Sequence, residues 1–81
     1  MGPGSPTTGL RLRQLKGNLY KVYTPQGSFE VGRDELWRRM DEYAMHTYGI
    51  PFDFDRFSQY QVRRIRREAV ASLAREFGSD R

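Results

Sequence analysis

The sequence predicts an α+β domain: a three-stranded antiparallel β-meander followed by two α-helices packed on one face of the sheet. Three observations predict it. Residues 10–31 fall into three short runs of alternating or β-branched and aromatic character, separated by turn-forming residues. Residues 33–77 instead carry apolar side chains at spacings of three and four, the period of an amphipathic helix. A chain of 81 residues with 37% hydrophobic content can build one small core and no more.

Each element follows in order. Met1 to Gly9 (MGPGSPTTG) lacks apolar residues after Met1 and is expected to be a disordered tail, ahead of a single domain over 10–78 and a disordered C-terminus over 79–81. Leu10-Arg11-Leu12-Arg13-Gln14-Leu15 alternates as a first strand, Lys16-Gly17-Asn18 supplies a three-residue turn, and Leu19 to Thr24 is a second strand. A two-residue turn at Gln26-Gly27 then leads to Phe29-Glu30-Val31. This pairing gathers Leu10, Leu12, Tyr20, Val22, Phe29 and Val31 on one face and leaves Arg11, Arg13, Lys21, Tyr23 and Glu30 on the other.

The first helix is expected to start at Gly32 as N-cap, with Glu35 closing a capping box and Val31 with Leu36 as a hydrophobic staple. Leu36, Trp37, Met40, Tyr43, Ala44 and Tyr48 form its apolar stripe, with Trp37 in the core. Gly49 ends it in the left-handed conformation and Pro51 blocks continuation. Asp53 is the expected N-cap of the second helix, with Phe52 and Phe57 as its staple. Val62, Ile65, Ala69, Leu73 and Phe77 form its stripe and Gly78 its stop.

Composition narrows the function. The chain is too short for the large catalytic scaffolds, and without cysteine it has no disulfide framework, Cys-based zinc site or thiol nucleophile. No apolar run is long enough to span a bilayer and no signal segment opens the chain, so a cytoplasmic address is expected, with no membrane partner. His46 is the only imidazole, and its position on the first helix opposite Trp37 turns it to solvent. Asp53 and Asp55 lack the further oxygen ligands and glycine turn of a calcium loop, and helix capping accounts for both. No phosphate-binding glycine loop occurs. The expectation is a protein that is not an enzyme, with no cofactor, no metal and no small-molecule substrate.

The distinctive stretch is Gln61-Val62-Arg63-Arg64-Ile65-Arg66-Arg67, in a chain where 12 of the 14 cations are arginine and the formal net charge is +4. A helical wheel puts Arg63, Arg64 and Arg67 on the outer face with Tyr60, and lays the stem of Arg66 along the apolar stripe. Arginine's planar fork suits carboxylates and phosphates, so Tyr60, Arg63, Arg64 and Arg67 are a candidate partner or nucleic-acid surface. For any single arginine a solvated helix face is the simpler reading, with Glu68 pairing Arg64. The sheet face bearing Arg11, Arg13, Lys21 and Tyr23 is the second candidate, against the alternative that edge cations merely deter aggregation. Sequence-specific readout by a helix-turn-helix is disfavoured, because Asp53 and Asp55 stand where the recognition helix would approach DNA.

In size and basic character, rather than in any motif, the chain resembles small phage-encoded regulators of bacterial RNA polymerase, which implies a role in transcription regulation. The leading expectation is thus a small regulator that docks through arginine and tyrosine anchors onto the acidic protein surface of a larger complex, with RNA polymerase the candidate. Direct, phosphate-mediated binding of DNA or RNA is the alternative, and self-association as an assembly subunit a further one. Ten acidic residues and a net negative first helix favour the protein partner, because they break up the basic field.

Overall fold

The computed structural model describes residues 9–77. Residues 1–8 of the tail expected over 1–9, the Gly78 stop and the 79–81 terminus lie outside those residues. Three strands, β1 (Arg11–Gln14), β2 (Leu19–Thr24) and β3 (Gly27–Gly32), are followed by helices α1 (Arg33–Tyr48) and α2 (Gln59–Phe77). The strands form one antiparallel sheet in the order β1-β2-β3, so β1 and β3 are its edges.

Register follows from the two turns. Leu15 N–H donates to Leu19 O at 2.9 Å across the three-residue turn, which aligns Leu12 with Val22 and Arg13 with Lys21. The second turn differs from the sequence expectation by one residue: Thr24 pairs with Gly27, leaving Pro25-Gln26 at the corner. Proline fixes the φ that the first corner position needs, and the Thr24 hydroxyl accepts from Gln26 N–H at 3.1 Å and donates to Gly27 O at 2.9 Å. Gly27 leaves the turn at φ 145°, a conformation that side chains disfavour. Pairing between β2 and β3 therefore moves by two residues from the expected alignment, bringing Phe29 opposite Val22. An even shift keeps every side chain on its expected face.

Gly32 is the N-cap of helix α1, but Glu35 does not close a capping box: Gly32 has no side chain to reciprocate, and the Glu35 carboxylate is held by Arg38 and Arg39 instead. Gly49 ends α1 at φ 81°, its N–H directed to Ala44 O and Met45 O. The start of α2 is the main correction. It begins at Gln59 rather than after Asp53, because Ser58 and Gln61 form a reciprocal capping box: Gln61 N–H donates to Ser58 Oγ at 3.2 Å and Ser58 N–H to Gln61 Oε1 at 3.0 Å. Asp53 closes a separate turn, accepting from Asp55 N–H through its side chain and from Arg56 N–H through its carbonyl. Phe52 and Phe57 still meet, stacked with ring centroids 5.9 Å apart, across that turn rather than along a helix. Phe52 N–H donates to Asp41 Oδ1 at 2.8 Å, which ties the connection back to α1.

The core lies between the apolar sheet face and the two helices. Val22 and Val31 from the sheet, Leu36, Met40 and Ala44 from α1, and Ile65, Ala69 and Leu73 from α2 are buried together with Phe52 and Phe57. Trp37 is half-buried rather than central, its ring against Phe52, Phe54 and the Arg33 guanidinium. Among the described residues no helix is long and apolar enough to cross a membrane.

Candidate docking groove

Fold and charge combine along the line where β1 meets the N-terminal half of α2. Because β1 is an edge strand among the described residues, no described strand is bonded to it on the side of α2, and side chains of both elements border an open cleft. A hollow of about 290 Å³ is lined by Leu10, Leu12 and Val70 below and by Arg11, Arg63, Arg66 and Arg67 around the rim. It continues past Leu12 and Arg66 into a hollow of about 460 Å³ reaching Trp37, Met40 and Phe54. A third, of about 450 Å³, lies beside Phe57, Val62 and Arg63. All three share Arg66, and among the described residues no carboxylate lines any of them.

The helix period explains which arginines arrive there. With about 100° per residue, Arg63, Arg66 and Arg67 fall on the same side of α2 as Val70 and turn toward β1. Arg64 falls away from that group. Its Nε donates to the Tyr43 hydroxyl of α1 at 3.3 Å, and the hydroxyls of Tyr43 and then Tyr60 hold its guanidinium more firmly protonated. The structure therefore divides the cluster grouped by the wheel: Arg63 and Arg67 border the groove, whereas Arg64 faces Tyr43 rather than the expected Glu68. Tyr60 is 69% exposed.

The basic sheet face is divided as well. Arg11, at the open end of the edge strand, reaches the groove. Arg13, Lys21 and Tyr23 lie on the opposite face of the sheet, where Lys21 Nζ sits 5.6 Å from the Tyr23 ring centroid and Glu30 stands next to Lys21 in register. Sequence reasoning missed Arg66 as a site residue by treating it as a stem on the core. It also missed Trp37 and Phe54 as groove walls. The signal for Arg66 was present, since it lies three residues after Arg63 and four before Val70.

Electrostatics set this groove apart. The ion pairs among the described residues use Arg38, Arg39 and Arg56. Arg11, Arg63, Arg66 and Arg67 form none with any described residue. Their like charges are held together by the fold with no described carboxylate between them, which is the field an acidic ligand neutralises. His46 is exposed on α1, as its helix position predicts, and among the described residues no group of three or more His, Cys, Asp or Glu side chains gathers as a metal site.

No protein-family model, curated protein or solved structure matches this chain.

Proposed function

We propose that this protein is a non-enzymatic binding module that docks through the β1–α2 groove onto an acidic protein surface of a larger complex. The observation that carries the reading is the rim of Arg11, Arg63, Arg66 and Arg67, joined by no described carboxylate, above an apolar floor. Arginine and aromatic anchors around a hydrophobic depression are what a partner bearing carboxylates beside aliphatic or aromatic side chains would engage. RNA polymerase stands first among candidate complexes, on the likeness in size and basic character to small phage regulators of that enzyme. The intracellular, cytoplasmic setting belongs to the same proposal.

A second reading has an observation of its own. An exposed aromatic side chain, Phe54 at 57%, lines the basic groove, and single-stranded nucleic acid binds such surfaces through phosphates and stacked bases. Capture of partners from bacterial lysate by the tagged protein, with and without exhaustive nuclease, separates the two. Retention of one protein complex after nuclease, lost in the Arg63→Glu/Arg67→Glu variant, supports docking to protein. Loss of all capture on nuclease treatment overturns it in favour of nucleic acid.

A further inference from the structure

The groove is bounded on one side by a strand edge as well as by arginines, and the backbone hydrogen-bond pattern of that edge is fixed. In an antiparallel pair, residues alternate between those that bond the neighbouring strand and those whose N–H and C=O point away from it. The Leu15 to Leu19 bond marks that pair as bonded, so Arg13 with Lys21 and Arg11 with Tyr23 are bonded too. Leu12 and Gln14 are therefore the β1 residues whose backbone N–H and C=O point to the free edge, where no described residue meets them. Their side chains line the hollows that Arg66 borders.

We propose that an extended acidic segment of a partner protein docks by adding as a fourth strand to the free edge of β1, between β1 and α2. The inference rests on the docking function proposed above and specifies its mode. Strand addition supplies affinity through main-chain bonds to Leu12 and Gln14, and side chains of the added strand supply specificity by alternating between the two sheet faces. Both faces beside this edge are cationic. A residue of the incoming strand opposite Leu12 points toward the rim of Arg63, Arg66 and Arg67, whereas its neighbours point to the face carrying Arg13 and Lys21. An acidic strand is thus complemented whichever way each side chain turns. The same charges argue against a second copy as occupant, because two β1 edges brought together would set Arg11 and Arg13 of one copy against those of the other.

The test uses the full chain and a synthetic decapeptide alternating glutamate with valine and isoleucine. Its counterparts are the same peptide N-methylated at alternate residues and a single-stranded oligonucleotide of equal charge. Binding is read by fluorescence anisotropy, and hydrogen exchange of the protein's amides is followed by NMR. Gln14→Pro removes one outward-facing donor without touching a bond to β2, and proline is tolerated on a strand edge in this position.

The proposal expects peptide binding that protects the Leu12 and Gln14 amides and weakens by about ten-fold on N-methylation or in Gln14→Pro, the loss expected for one or two main-chain bonds. Peptide binding indifferent to both changes, without protection of those amides, overturns strand addition and leaves the docking function standing. Absence of peptide binding overturns both, and tight binding of the oligonucleotide in that case assigns the groove to nucleic acid.

Discussion

Arg39 and Arg66 are both helix arginines with a stem near the core, and their surroundings are opposite. The Arg39 side chain is 11% exposed: its Nε donates to Glu35 at 2.9 Å, one terminal nitrogen donates to Ser72 Oγ at 2.9 Å and the other to Glu76, and its guanidinium lies against the Phe77 ring. It fastens α1 to the C-terminal half of α2. Arg66 stands on the N-terminal half of that same helix, is exposed, and has no carboxylate among the described residues around it. The difference teaches that a count of arginines says little. One half of α2 uses its charged partners to hold the domain together, whereas the other presents cations that form no ion pair with any described residue.

If that division is right, damage to the two halves should differ in kind. The largest stability effect is expected in the closed half: Leu73→Ala, at a fully buried position, should cost about 3 kcal/mol by urea denaturation, a large part of what so small a domain possesses. Next comes Arg39→Ala, which removes the link between Glu35, Ser72 and Glu76. Because Glu76 is more than half exposed, the loss should be about 1 to 2 kcal/mol in the same measurement.

Acid should expose the closed half too. The hydrogen bonds from Arg38 and Arg39 hold the Glu35 carboxyl below the usual glutamate range. The folded state therefore binds that proton less readily than the unfolded chain, so the stabilisation is complete above the ordinary value of about 4.3 and is lost as pH falls through the depressed folded value. Denaturation midpoints between neutral and acid pH should fall less in Glu35→Gln than in the wild type. An equal fall in both would show that the arginine contacts leave no mark on the titration.

The smallest stability effect should come from the open half. Arg63→Glu/Arg67→Glu should change Tm by no more than about 3 °C, since neither arginine forms an ion pair with a described residue and reversal relieves like-charge crowding. A large loss would mean that these side chains support the fold.

Legibility divides along the same line. Strand order, face assignment and the α1 stripe were readable because periods of two and of three to four are local properties of the chain. The β2–β3 turn was misjudged by one residue because Gln26-Gly27 and Pro25-Gln26 both carry turn chemistry, and only the Thr24 side-chain bonds decide between them. The start of α2 was misjudged because Asp53 and Ser58 are both sound caps. Ser58 prevails through Gln61, and burial of Phe52 and Phe57 keeps the intervening turn compact. For the groove, the arginine run on α2 was visible, and so was Arg11. That these meet at the open edge of β1, and that Glu76 approaches Arg39 rather than the groove, depends on contacts between residues far apart in sequence. No local pattern encodes them.

The central claim is that the cations of the groove serve binding and not the fold. Its most direct test compares Arg63→Glu/Arg67→Glu with Arg38→Glu, each read for Tm and for nuclease-resistant partner capture from the same lysate. The account predicts a near-native Tm with capture abolished in the first variant, and capture retained in the second. Capture undiminished by the groove reversal, with both variants folded, would contradict it.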